Sequence, residues 1–417
     1  MLCLASVGGC NEVGMRTVTL FVTCTSVAVL AVWTATASAQ DAQPQTRQAA
    51  IEQAEAQKDT SLHPYVPTGG ERFVTRLQDT FISPSQTWHP FFDSAYRGGG
   101  FAAGLGYMWH VSAYNFVDVR GSYSIKSYKR AEIEFDAPRL FHRRGELTLN
   151  AGWRDATEVG FYGLGMDTSV DNRANYGFER PAASAVLTVR PTRRMFLLRG
   201  GLDYSQWEMK SGTGGTSVEE VYTPETLPGL GTTTTFLHAS GTAGFDWRPS
   251  SGYARRGGFY GVTAHDYHDP DNLFGFNQLD YEVIQHIPIF REAWVLSFHG
   301  LTETTWRKGD QQVPFFLLPS LGGGSNLRGY SSWRFRDRNS VLLQGEWRIM
   351  VNRFFDTAVF YDAGQVATHK SDLDLSRLQT DYGFGARFHT PFATVLRIDV
   401  ARSREGTSLV FSTSPVF

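Results

Sequence analysis

A period-two alternation of apolar and polar residues recurs from about residue 117 to the C-terminus and narrows the possible folds sharply. In 117–126, Val117, Val119, Tyr123 and Ile125 alternate with Asp118, Arg120, Ser122, Ser124 and Lys126. In 130–136, Ala131, Ile133 and Phe135 alternate with Arg130, Glu132, Glu134 and Asp136. The same rule holds in 146–153, 237–248, 278–283 and 343–349, and near the end Leu396, Ile398 and Val400 alternate with Arg397 and Asp399. Successive side chains of a strand point to opposite faces, so each segment sets one apolar face against one polar face. A helix would repeat near 3.6 residues instead.

A soluble sandwich also alternates, but two features favour a barrel in a membrane. The polar face is charged on strand after strand, as a wet lumen allows, and the apolar face carries Trp and Tyr near strand ends, as an aromatic girdle would. Phe, Trp and Tyr make up 14% of the chain and glycine is abundant at 42 residues, which suits strands and turns. The formal net charge of −2 gives no basic footprint for nucleic acid. Past the N-terminus no run reaches the roughly 18 apolar residues of a spanning helix. Such a chain can cross a membrane only as a closed barrel.

From Met15 the sequence carries Arg16, an apolar core from Val18 to Trp33, and Ala37-Ser38-Ala39 ahead of Gln40. This is the layout of a secretory signal peptide, expected over 1–39. Cys3, Cys10 and Cys24 all fall within it. The mature chain would then lack thiols, which fits an oxidising compartment. Residues 40–71, rich in Gln, Ala, Glu and Asp, read as a periplasmic linker or tail with a short helix near 46–58. The barrel is expected over 72–417.

Connections alternate in length. Long polar stretches lie near 163–182, 208–235, 267–276, 303–340 and 366–380, and short turns near 139–145, 190–195, 249–257, 288–292 and 351–356. Outer-membrane barrels have long external loops and short periplasmic turns. Counting back from Phe417 with both termini periplasmic gives about 16 strands and an all-β, antiparallel, up-and-down transmembrane barrel.

No constellation supports an enzyme. His265, Asp266, His268, Asp269 and Asp271 look like metal ligands on paper, but they run from a strand end into a loop with no further ligand group. Gly322, Gly323 and Gly324 match neither a Rossmann nor a P-loop pattern, and no G-x-S-x-G elbow exists. Neither a cofactor nor a metal is expected.

The strongest local signal is 321–366. Leu327-Arg328-Gly329-Tyr330, Gln344-Gly345-Glu346 and Phe360-Tyr361-Asp362-Ala363-Gly364 together resemble three motifs of the BamA/TamA-like outer-membrane assembly superfamily, also called bacterial surface antigens. The resemblance covers about 72–417. It implies a 16-stranded barrel whose sixth external loop folds back into the lumen, where Arg328 pairs with acids of the wall. Strand parity agrees: Asp362 is out of phase with Val359 and Tyr361, and Glu346 with Trp347. The resemblance also implies that Phe417, in one phase with Leu409 and Phe411, is the C-terminal signal read by the barrel assembly machinery during biogenesis. Full members carry periplasmic POTRA domains, and 40–71 is too short for one, so the resemblance concerns the barrel alone.

The expected function is that of an outer-membrane barrel aiding membrane insertion or translocation through a seam between its first and last strands. The alternative is a passive pore or a structural surface antigen. The expected partners are outer-membrane lipid, the assembly machinery, and a client protein the sequence does not name.

Overall fold

The computed structural model describes residues 46–61, 69, 72, 87–192 and 195–417. The expected signal peptide and its cleavage site lie outside the described residues. Arg47–Ser61 form helix α1, in a unit separate from the barrel and close to the helix expected at 46–58.

The barrel strands follow from the alternation. They are β1 (Trp88–Asp93), β2 (Ala102–His110), β3 (Phe116–Ser124), β4 (Lys129–Arg139), β5 (Gly145–Phe161), β6 (Ala174–Val189), β7 (Phe196–Ser211), β8 (Thr233–Asp246), β9 (Gly257–His268), β10 (Phe276–Pro288) and β11 (Trp294–Arg307). After two short strands inside a loop, β12 (Ser320–Leu321) and β13 (Phe335–Arg336), come β14 (Asn339–Asn352), β15 (Phe355–Ala367), β16 (Gln379–His389), β17 (Thr394–Ser403) and β18 (Gly406–Ser412). All but β12 and β13 form one 16-stranded antiparallel sheet in chain order, from β1 to β18. Among the described residues no ladder joins β1 to β18. There Thr413 Oγ1 donates to the Phe92 carbonyl at 3.2 Å.

Exposure is inverted relative to a soluble protein. Tyr107, Trp109, Tyr204, Val359, Tyr361, Phe384, Leu409 and Phe411 are exposed, while Asp118, Glu132, Asp362, Asp381 and Asp399 are buried. An apolar belt costs roughly 25 cal/mol per Å² in water and nothing comparable in hydrocarbon, so this surface belongs in lipid. No described helix is long and apolar enough to cross a membrane; the strands do so. Phe384 sits midway along β16 and is 63% exposed. Phe384→Arg should destabilise the barrel by about 2–4 kcal/mol, with Phe384→Leu close to wild type. Urea unfolding from phospholipid vesicles measures it, and an Arg variant as stable as wild type would take this face out of the bilayer.

Connections alternate as the sequence suggests. The long ones at one end run over 162–173, 212–232, 269–275, 308–338 and 368–378. The first is shorter than expected, because β6 starts at Ala174. Phe161, Tyr176, Phe178, Trp207, Phe236, Phe276, Phe315 and Phe316 pack into an apolar core at this end. Both ends of the barrel chain lie at the other, short-turn end.

Candidate functional site

The connection between β11 and β14 fills the lumen rather than reaching into solvent. Its apolar stretch is the reason: Val313, Phe315, Phe316 and Leu318 are buried. The chain then reverses through Gly322 and Gly323, whose φ angles of +108° and +106° are strained for any residue with a Cβ. A Cβ on Gly322 would lie 2.2 Å from the Ser331 carbonyl oxygen. Asn326 pins the reversal: its Oδ1 accepts from Gly322 N and Leu327 N, each at 2.9 Å, and its Nδ2 donates to Ser320 O at 3.1 Å. Leu321, Leu327, Tyr330, Phe335, Leu342 and Val366 pack around it.

The tip so held presents Arg328, whose side chain is fully buried. Its Nε donates to Asp362 Oδ2 and its Nη2 to Asp362 Oδ1, both at 2.7 Å, a two-pronged grip on one carboxylate. Nη1 reaches Glu346 Oε2 at 3.0 Å and Asp399 Oδ2 at 3.5 Å. The guanidinium carbon lies 3.4 Å from the centroid of the Phe360 ring, a cation–π contact. Around it the signs alternate. Arg387 donates to Glu346 Oε2 at 2.6 Å and also pairs with Asp399. Arg397 meets Asp399 at 3.2 Å and donates to the Gly324 carbonyl at 2.6 Å. Gln344 Nε2 ties Asp362 to the loop, donating to Asp362 Oδ1 at 3.2 Å and to Asn326 O at 2.9 Å. Charges removed from water are tolerable only when so densely paired. The cluster therefore holds the loop in one position.

The remaining residues singled out in the sequence fall as follows. Gly329 lies in the turn that carries Arg328, closed by Tyr330 N donating to Leu327 O at 3.2 Å, but its φ is not positive. It permits close approach, since a Cβ there would meet Asp381 Cβ at 2.6 Å and Ser403 Cβ at 3.0 Å. Tyr330 is buried, its hydroxyl donating to Thr380 O at 3.2 Å. Gly364 leaves room for Leu321, whose Cδ1 would be 2.8 Å from a Cβ. Phe411 faces outward on β18. Phe417 does not continue its phase. β18 ends at Ser412, and the tail turns so that the Phe417 ring lies against His286 and His299 on the luminal face, 6.0 and 5.1 Å between centroids. Strand parity reaches Phe417 only if the strand runs to the last residue, and β18 does not.

In the sequence Arg397 and Asp399 stand out only as alternating residues, and no motif marks Arg387 or Asn326. Arg387, Arg397 and Asp399 carry a luminal phase on β16 and β17, whereas Asn326 lies in a loop and has no phase to read. His265 and Asp269 sit apart from one another in role. His265 contacts His238 at 3.0 Å and Asp280 at 3.1 Å, while Asp269 accepts from the amides of Asp271, Leu273 and Phe274, each at 3.0 Å. Among the described residues no group of three or more such side chains is placed to hold a metal.

Residues 115–410 match the family model described as the Omp85 superfamily domain. No curated protein matches the sequence. Among solved structures, the fold is similar to BamA from Haemophilus ducreyi lacking POTRA domains 1–3, with a TM-score of 0.56 at 16% identity, over 78% of this chain and 69% of that one. It is also similar to CdiB from Escherichia coli, with a TM-score of 0.51 at 12% identity, over 79% of this chain and 59% of that one.

Proposed function

This chain belongs to the Omp85 superfamily of outer-membrane barrels, and from that premise we propose that it aids the insertion or translocation of a client protein through the seam between β1 and β18. The observation that carries this reading is the sheet itself: fifteen ladders join its strands in chain order, and among the described residues none joins its two ends. An edge strand offers unpaired backbone groups to an incoming strand. In hydrocarbon those groups have no water to turn to, so a seam of this kind is the least stable line in the wall. The arginine cluster lies on β14–β17, beside the seam, and keeps that wall rigid while the edge moves. A lumen occupied by the 308–338 loop speaks against the passive pore, the second reading. Export by a cleaved signal peptide over 1–39, with Gln40 as first mature residue, and recognition of the barrel by the assembly machinery through Phe411 and Phe417 belong to the same proposal.

A seam crosslink tests it. In a background with Cys3, Cys10 and Cys24 changed to Ser, Phe92→Cys and Thr413→Cys are joined by a reducible crosslinker in protein refolded into vesicles. The crosslinked protein should no longer accelerate folding of an added outer-membrane barrel, and reductant should restore the acceleration. Acceleration that persists with the seam joined would sink the reading.

A further inference from the structure

At the short-turn end one connection is unlike the rest. The β8–β9 connection, residues 247–256, is the longest there, and it does not stay beside its own strands. Gly252 forms a parallel backbone bridge with Ala393 of the β16–β17 turn. Thr394 donates to the Gly252 carbonyl twice, from N at 2.9 Å and from Oγ1 at 3.1 Å, and Ser250 Oγ donates to Phe392 O at 2.5 Å. In sheet order β16 is six strands along the wall from β8. A sheet of sixteen strands curled into a barrel brings those two positions almost opposite each other. The connection therefore crosses the mouth of the barrel.

Its centre is fastened to the wall between. The Tyr253 hydroxyl donates to the Asp356 carboxylate, and its ring stacks on His389 at 3.8 Å between centroids. Arg255 Nη2 meets Asp356 Oδ1 at 3.0 Å, Arg255 Nη1 donates to Glu292 O at 2.7 Å, and Arg348 donates to Ala254 O. His389 Nε2 lies 3.2 Å from Asp356 Oδ1. Tyr253 and Ala254 are buried, although they belong to a turn at a barrel end. Behind them the remaining space is about 20 Å³, lined by Tyr253, Ala254, His286, Arg348 and Phe417, room for about one water molecule.

We propose that residues 249–255 are a strap that closes the lumen at the short-turn end, latched by Tyr253 and Arg255 on Asp356 and by the Gly252–Ala393 bridge. The short-turn end is the periplasmic end of an outer-membrane barrel, so the strap gates water and solutes from the periplasm. Two features make it a gate rather than a fixed floor. It is a single connection whose latch is a handful of polar contacts, which open locally at far lower cost than the barrel unfolds. Its anchor points, Asp356 and the β16–β17 turn, lie on the strands nearest β18, so any movement of that wall pulls on the latch.

The test reads access to Ser297, a luminal residue 1% exposed behind the strap. In the background lacking native cysteines, Ser297→Cys reports the strap and Ser340→Cys, buried toward the loop end, reports the rest of the lumen. Protein in vesicles with the short-turn end outward is labelled with a charged, membrane-impermeant maleimide. The intact strap should leave Ser297→Cys slow to react. The double variant Tyr253→Ala with Arg255→Ala, and separately Asp356→Asn, should speed its labelling about tenfold or more, while Ser340→Cys is unchanged and the barrel keeps its heat-modifiable gel migration. Equal labelling of Ser297→Cys with and without the latch would overturn the proposal, as would equal acceleration at both reporters, which means general loosening. Asp356→Asn guards against misfolding, because it keeps the side-chain shape and removes the charge.

Discussion

Arg328→Ala should destabilise the folded barrel by roughly 3–5 kcal/mol, the cost of stripping one partner from a buried charge cluster, and Arg328→Lys should recover little of it. The substitution leaves Asp362 without the two donors it meets at 2.7 Å. It leaves Glu346 to Arg387 and the more distant Arg348, and Asp399 to Arg387 and Arg397. Lysine brings a charge but a single point of donation, so it cannot grip both Asp362 oxygens while reaching Glu346. Nor does an ammonium lie flat on Phe360 as the guanidinium does at 3.4 Å. Urea unfolding from vesicles, followed by heat-modifiable migration, measures both variants. A lysine variant within about 0.5 kcal/mol of wild type, the size of an ordinary surface change, would show that the planar fork is immaterial. The contrast also separates this cluster from the exposed pairs of the barrel, such as Arg256 with Glu292 at 3.5 Å, where water screens the charges and loss is expected to be small.

Gly322→Ala should be nearly as damaging, though it touches no charge. The residue sits at φ +108°, and its new Cβ would come within 2.2 Å of Ser331 O and 2.9 Å of Arg334 N. Both are backbone atoms and cannot swing aside as a side chain would. The conformational strain alone is of order 1–3 kcal/mol, and relieving the collision means moving the segment that carries Arg328. The two changes should then be non-additive: once the loop tip has shifted, removing Arg328 has less to undo. Unfolding free energies of the two single variants and the double variant decide it. Simple addition of the two losses would mean that Gly322 and Arg328 act independently. A control at Gly231, where φ is +66° but nothing lies within 4 Å of a Cβ, isolates the strain from the collision.

The sequence by itself determined the class of this protein, because alternation is a local property. Val117, Tyr123, Ile133 and Leu149 declare which face of their strands is apolar without reference to any other strand, and the lengths of the connections between strands give the count and the up-down order. Parity alone put Asp362 and Glu346 on the luminal face. The apolar stretch from Val313 to Leu318 favours a loop packed inside, but the pairing of Arg328 with those two acids came from resemblance to a family, since no local pattern in 303–340 says which wall residue the loop tip meets. Tertiary structure decided the rest. Arg387, Arg397 and Asp399 have luminal parity too, as do many charged residues of this wall, but parity does not say how high on the wall a residue stands or which neighbour it meets. That depends on strand tilt and register around the whole barrel, to which every ladder contributes. Phe417 shows the same limit from the other side: its phase relative to Phe411 was right only for as long as the strand lasted, and the strand ended at Ser412. The strap over 249–255 has ordinary turn residues, Ser, Gly and Arg among them. Its course across the mouth follows from contacts with Asp356, His389 and Ala393, more than a hundred residues away in the chain, and no local pattern could carry that information.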